Sequence, residues 1–208
     1  MIAIYPSYHG EGGIQLKDNV AVIIGHPNRK SYCNALASAY AKGAAAAGAN
    51  VRIIDLSAIS FEANLKNGYQ ERTILEEDLI TAQETLRWAD HLVFVYPNWW
   101  GTMPAILKGF IDRVFLPGYA FNTKPNSYSI EKLLKGKTAR LIVTMDSPPW
   151  YYRLVIKRAG HHIMKRAVLQ FCGVKPIWIT EIGMVKTSPL ELREKWLQRI
   201  EALGRKRA

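Results

Sequence analysis

Two stretches of this chain concentrate side chains suited to holding an anion and a flat ring. The first, His26-Pro27-Asn28-Arg29-Lys30-Ser31, supplies an imidazole, an amide, two cations and a hydroxyl directly after an apolar run. Such donors, beside the free backbone N–H groups that open a helix, make a competent phosphate site. The plainer reading is that Asn28 and Ser31 only cap the helix. The second stretch, Pro97-Asn98-Trp99-Trp100-Gly101-Thr102-Met103-Pro104, puts two indoles where a strand meets solvent. Tryptophan is more commonly spent in cores, so a flat aromatic surface next to a phosphate site suits a planar heteroaromatic ligand. Phosphate and ring together describe a flavin.

Other chemistries lack their residues. There is no GxxxxGK[ST], and Gly10, Gly12 and Gly13 do not follow a strand, so neither a nucleotide-hydrolysing loop nor a dinucleotide fingerprint is present. No HExxH, CxxC or GxSxG occurs, which removes zinc hydrolase, thiol redox and serine hydrolase readings. Cys33 and Cys172 stand far apart, so no disulfide framework is expected and a reducing, cytoplasmic setting is. Cys33 opens a helix but reads as a buried, inert thiol.

The elements that must position the two loops follow from hydrophobic pattern. Val20 to Gly25, Val51 to Leu56, His91 to Tyr96, Lys137 to Thr144 and Lys175 to Glu181 are short, mostly continuous apolar runs, the mark of strands buried on both faces of a parallel sheet. Helical spacing appears through Leu36 to Ala47, Leu75 to Trp88 and Leu107 to Phe115, and a helix is expected over much of Tyr152 to Phe171. Ser188-Pro189-Leu190-Glu191 reads as a capping box opening the last helix. Five strands alternating with helices imply a doubly wound α/β, three-layer domain with strand order 2-1-3-4-5. Its ligand crevice lies at the switch point between the first and third strands, where the loops leaving the first, third and fourth strands, His26 to Ser31, Pro97 to Met103 and Met145 to Trp150, converge. Residues 1–19 read as a loose N-terminal leader and residues 20–208 as the single domain.

Charge bounds the partners. Lys plus Arg is 28 against 17 Asp plus Glu, a formal charge of +11. That field attracts anions, yet the cations are dispersed except around Arg153 to Arg166 and in the tail Arg205-Lys206-Arg207, so nucleic acid is not the expected partner. No apolar run reaches the ~18 residues of a membrane helix.

GHPNRKSYCNAL after the first strand, YPNWWGTMPAILKGFIDRVF after the third and FCG before the fifth resemble the flavodoxin-like NAD(P)H:quinone oxidoreductases, including the ancillary oxidoreductases of glutathione-gated potassium efflux systems. The resemblance covers about residues 20–200 and implies the flavodoxin-like form of the sheet above. It implies FMN or FAD, one flavin per subunit, with NAD(P)H as cosubstrate and a quinone-like acceptor. His26, Asn28, Ser31, Tyr32 and Asn34 fall at flavin-phosphate and ribityl positions, Pro97, Asn98, Trp99, Trp100 and Gly101 under the ring, and Thr144 at the end of the fourth strand. Tyr151 or Tyr152 and His161 or His162 correspond to a Tyr and His pair that assists hydride transfer. Family habit implies a homodimer, and the ancillary members imply a membrane transporter as a second partner.

The chain departs from the family at the fourth-strand exit. Where members carry Thr-Thr-Gly-Gly, it reads Thr144-Met145-Asp146-Ser147-Pro148-Pro149, so Cβ atoms and two prolines alter a loop whose backbone usually meets the ring. An electron carrier of the flavodoxin type is the alternative activity, and the positive charge argues against it. A regulatory subunit of a membrane potassium efflux transporter is the other.

Overall fold

The runs of β-branched residues form the centre of a six-stranded sheet, in a computed structural model that describes residues 3–5, 19–66, 68, 71, 73–123 and 129–207. In chain order the strands are β1 (Ala3–Tyr5), β2 (Asn19–Ile24), β3 (Asn50–Asp55), β4 (His91–Pro97), β5 (Phe121–Thr123), β6 (Ile130–Lys132), β7 (Thr138–Thr144) and β8 (Ile177–Ile182). The sheet order is β1-β3-β2-β4-β7-β8. Its five strands from β3 to β8 are parallel, so the 2-1-3-4-5 arrangement holds. Every residue of β4 is buried, as the middle strand of a sheet covered on both faces must be.

The helices are α1 (Tyr32–Ala46), α2 (Glu77–Trp88), α3 (Ala105–Val114), α4 (Pro149–Leu154), α5 (Ala159–His162), which runs on as π-helical Ile163–Gln170, and α6 (Leu190–Lys206). Leu79, Leu86, Leu107 and Phe110 belong to the core on one face of the sheet, and Leu36, Tyr40 and Ile200 to the core on the other. Between α1 and α6 the backbones nearly touch: a Cβ on Gly43 would stand 2.0 Å from the Glu201 carbonyl oxygen, and one on Gly204 would stand 2.2 Å from that of Tyr40. The irregular chain after β3 is held by the buried Arg113, which donates to the carbonyls of Glu62 and Ile74 and pairs with Glu76 at 2.7 Å. No helix among the described residues is long and apolar enough to cross a membrane.

Several boundaries differ from the sequence reading. Residues 1–19 are not uniformly a loose leader, because Ala3–Tyr5 adds to the sheet antiparallel to β3 and Asn19 already belongs to β2. The helix expected over Tyr152 to Phe171 is broken at Lys157 and Arg158, whose φ angles of 52° and 53° are left-handed. The small hairpin of β5 and β6 was not anticipated. At α6 the expected capping box does not form: Ser188 Oγ donates to the Val185 carbonyl and accepts from Arg193 Nε, and Pro189 caps with backbone alone.

At the amino ends of the strands a buried histidine is neutral. His91 Nε2 lies 3.0 Å from the Tyr40 hydroxyl and Nδ1 lies 2.6 Å from Thr138 Oγ1. Burial, aided by Arg140 and Arg207, pushes its pKa down to about 4. The unfolded chain, with an ordinary histidine near 6.5, binds more protons between these values, so stability is full above pH ~6.5 and falls as pH drops toward 4. The loss is about 3 kcal/mol. Urea unfolding at pH 5 and pH 8 should therefore show a smaller pH difference for His91→Gln than for the parent. Equal differences would place the acid sensitivity elsewhere.

Candidate functional site

β2 runs into Gly25, where a Cβ would stand 2.8 Å from Leu107 Cδ2 and 3.0 Å from Tyr96 Cβ, so glycine lets the strand exit lie against β4 and α3. The following loop is wound by its own side chains. Asn28 N–H donates to His26 Nδ1 at 2.9 Å, and Lys30 N–H donates to Asn28 Oδ1 at 2.8 Å. Because Nδ1 accepts, the neutral His26 ring carries its proton on Nε2, and burial lowers the pKa toward that neutral form. Ser31 caps α1, its Oγ accepting from Asn34 N–H at 3.3 Å. The N–H groups of Tyr32 and Cys33 precede any intrahelical bond and point out of the helix end.

The chain after β4 is fixed by Asn98 N–H donating to the Thr144 carbonyl at 2.7 Å. Trp99 and Thr102 then close a two-residue turn through paired bonds of 2.8 and 3.1 Å. Both central residues have positive φ, 51° at Trp100 and 82° at Gly101. Glycine takes this conformation freely, whereas a tryptophan pays about 1–2 kcal/mol for it. Such outliers persist where the surroundings impose them, and they cluster at ligand sites. Here the Gly101 carbonyl accepts from the Tyr152 hydroxyl at 3.0 Å and from Gly160 N–H at 3.1 Å. The result is an indole at Trp100 that is fully exposed.

The two loops meet. The His26 and Trp99 rings touch edge to face with centroids 5.5 Å apart. A cleft of about 150 Å³ opens between them, bounded by His26, Tyr32, Cys33, Pro97, Asn98, Trp99, Thr144, Met145, Asp146 and Val185. It is half the ~300 Å³ at the lower end of small-molecule sites, so a larger ligand would extend over its rim. A groove of about 950 Å³ beside α2 and the end of α3 is roomier, but it flanks the sheet rather than opening at the strand ends where α/β folds bind ligands.

Six of the residues read as cofactor-binding thus border one cleft: His26, Tyr32, Pro97, Asn98, Trp99 and Thr144. Asn28, Ser31, Asn34, Trp100 and Gly101 sit in the same loops and at the start of α1 without bordering it. Tyr32 donates its hydroxyl to the Arg193 carbonyl at 2.8 Å, tying α1 to α6. Thr144 Oγ1 lies 3.3 Å from Cys33 Sγ, and burial pushes that thiol up to about 11, so Cys33 stays protonated.

The three residues read as catalytic do not share one surface. Tyr151 is exposed, its ring edge-on to Trp150. Tyr152 is buried, with its hydroxyl engaged by Gly101 and by Gly160 N–H at 3.1 Å. His161 packs its ring 5.0 Å from that of Tyr152 but directs Nε2 to Glu181 Oε1 at 3.0 Å, the oxygen that Arg158 Nε also meets at 2.8 Å. Burial lowers the His161 pKa while the Glu181 carboxylate pulls it up.

Two contributors, Gly160 and Glu181, went unread in the sequence, and a third, Asp146, was read only as part of the fourth-strand loop, which does border the cleft. Gly160 accepts no Cβ, which would fall 2.5 Å from the Gly101 oxygen. Asp146 Oδ1 accepts from Lys186 N–H at 2.9 Å, pinning the altered fourth-strand loop to the β8 exit. Glu181 gave a signal that could have been followed, an acid inside an otherwise uncharged strand.

Comparison with known proteins agrees with this geometry. Residues 18–203 match the family model described as Flavodoxin-like fold. An NAD(P)H oxidoreductase of Haemophilus influenzae is 30% identical over 76% of this chain and 80% of its own length. Human ribosyldihydronicotinamide dehydrogenase [quinone] is 27% identical over 88% of this chain and 91% of its own. The solved NAD(P)H:quinone oxidoreductase of Methanothermobacter marburgensis superposes with a TM-score of 0.76 at 25% identity, covering 91% of this chain and 98% of that one. The chain belongs to the flavodoxin-like family of NAD(P)H oxidoreductases.

Proposed function

We propose that the protein is a flavin-dependent NAD(P)H oxidoreductase with a quinone-type acceptor, holding one flavin per subunit at the cleft between β2 and β4. The observation that carries this reading is the His26–Trp99 contact, which joins an anion-ready helix terminus to a strained aromatic turn at the switch point. The residues present fit the cofactor. Free N–H groups at the start of α1, the Nε2–H of His26 and the Ser31 hydroxyl suit a phosphate, and the cleft's volume suits that end of the molecule. The turn Trp99–Thr102 offers a backbone and indole edge to a ring lying over the rim. These loops address the riboflavin phosphate portion that FMN and FAD share.

A bound flavin would supply the hydride acceptance from NAD(P)H and the two-electron delivery to the acceptor. The chain's own groups bind and orient. Tyr152 holds the Trp turn in place, since its hydroxyl is already engaged at both its donor and an acceptor position. His161, Glu181 and Arg158 fix the approach of α5 to β8 and act as positioning residues. Tyr151 and Trp100 are the exposed aromatics that can stack on a nicotinamide or quinone and release it. A homodimer closing over this face follows from the same reading.

Titration of the purified protein with FMN and with FAD tests it, read by flavin absorbance and tryptophan emission. Saturation at one flavin per chain at micromolar concentration or below is expected, with quenching that shrinks in Trp99→Phe or Trp100→Phe. Failure of both flavins to bind removes the reading, and an undiminished quench in both variants moves the ring away from this turn.

A further inference from the structure

The outer side of β8 borders a second hollow, about 370 Å³ in volume, that shares no lining residue with the cleft between β2 and β4. Ile179, Thr180 and Glu181 of β8 line it, α5 and the turn before it supply His161 and Arg158, and α6 supplies Trp196 and Arg199. Its size falls within the ~300–1,000 Å³ of small-molecule sites.

The charges at this hollow do not balance. Glu181 is the one acid among its lining residues, and it is already paired: Oε1 lies 2.8 Å from Arg158 Nε and 3.0 Å from His161 Nε2, and Oε2 accepts from Arg158 Nη2 at 3.3 Å. Arg199 lies over the Trp196 ring, 4.9 Å from its centroid, and enters no ion pair among the described residues. Behind Thr180 stands Arg140, only 6% exposed, whose Nη1 donates to Thr180 Oγ1 at 2.6 Å and whose Nε is buried without a partner. Its neighbours are the hydroxyls of Thr180 and Tyr40, and among the described residues no carboxylate answers its charge. A buried cation without a counter-charge is costly. Because Thr180 Oγ1 accepts from Arg140, its own O–H is left to donate, and Thr180 lines the hollow. Three guanidinium groups thus stand against one carboxylate, an excess of two positive charges at one place.

That excess selects the ligand. A phosphate monoester carries close to two negative charges at neutral pH and offers three acceptor oxygens, which guanidinium forks and a hydroxyl donor suit. One phosphorus with its oxygens leaves most of the volume to the group it esterifies, and the Trp196 indole gives that group an apolar wall. We propose that the hollow beside β8 is a second anion site, which takes a small phosphate monoester on Arg199 and the Thr180 hydroxyl with Arg140 as the charge behind them. It stands or falls separately from the flavin reading, because the two sites have no residue in common.

Thermal melts at pH 8 and constant ionic strength test it, with chloride replaced stepwise by inorganic phosphate or by adenosine monophosphate. A saturable rise in the midpoint is expected with both, since a ligand of the native state stabilises it by mass action. Arg199 is exposed on α6, so Arg199→Gln should melt like the parent in chloride and lose about tenfold in apparent affinity for either anion. Thr180→Val, read against its own midpoint in chloride, should lose about fivefold. Ser31→Asp, which repels phosphate from the start of α1, should keep the full rise. A larger rise with the nucleotide supports the site with its ester group against Trp196, and equal rises support it with the phosphate alone recognised. Melts that do not distinguish phosphate from chloride overturn the proposal, as does a rise that survives both Arg199→Gln and Thr180→Val. A rise lost in Ser31→Asp overturns it too, by assigning the anion to the cleft at α1.

Discussion

Ser31→Asp is expected to fold with a thermal midpoint close to the parent's and to bind FMN about 100-fold more weakly. The two halves of this expectation come from one atom. Ser31 Oγ accepts from Asn34 N–H as the α1 cap, and an aspartate carboxylate performs that task at least as well. It also places a negative charge at the end of the helix, where it takes up the favourable dipole and repels a phosphate about 4 Å away. At an effective dielectric near 20 two unit charges at that distance repel by about 4 kcal/mol, and exposure of the loop screens this to roughly 2–3 kcal/mol. Titration alongside a thermal melt checks it. Unchanged affinity would mean that the phosphate does not sit at this helix end, and a lost fold would mean that the cap tolerates no carboxylate.

The largest effect on stability should come from Gly204→Val, which we expect to cost about 3 kcal/mol and lower the melting temperature by roughly 10 °C. The obstacle is backbone rather than a movable side chain. A Cβ at this position would stand 2.2 Å from the Tyr40 carbonyl oxygen, so α1 and α6 must separate to admit one. That separation would disturb Tyr32, whose hydroxyl bond to Arg193 ties the same two helices beside the cleft. Gly48→Ala is the matching control. Gly48 has φ +86° and open space around it, so the substitution costs only the backbone strain of about 1 kcal/mol. Similar losses in the two variants, measured by urea unfolding, would remove the close approach as the cause.

The strands were legible because burial on both faces leaves continuous runs such as Val20 to Ile24 and Leu92 to Val95, which no surface element shares. β1 and the β5–β6 hairpin were not, because three-residue strands are set by the partners they find and not by their own periodicity. The break at Lys157–Arg158 escaped notice for a related reason: neither residue is a helix breaker, and the turn is held by Arg158 N–H donating to the Tyr152 carbonyl and by the Tyr152 hydroxyl donating to the distant Gly101 carbonyl. The site divides the same way. The His26–Ser31 and Pro97–Pro104 stretches announced themselves by residue type, and four of their residues, His26, Pro97, Asn98 and Trp99, border one cleft, whereas Tyr32 and Thr144 beside them were implied only by the family resemblance. The uses of Tyr152 and His161 depend on Gly101, far away in sequence, and on Glu181, both of which only the folded chain brings near.

The two margins of the sheet are protected by different means. β1 lies along β3 and occupies its hydrogen-bonding side. Beyond β8 no strand pairs among the described residues, which leaves a ladder that another chain could extend into a fibril. That margin is guarded by charge: Arg158 and Arg199 border the hollow beside it with Glu181. A foreign strand would have to strip water from these ions before gaining its first backbone bond. The Glu181–Arg158 pair that steadies α5 therefore also helps keep the molecule in solution.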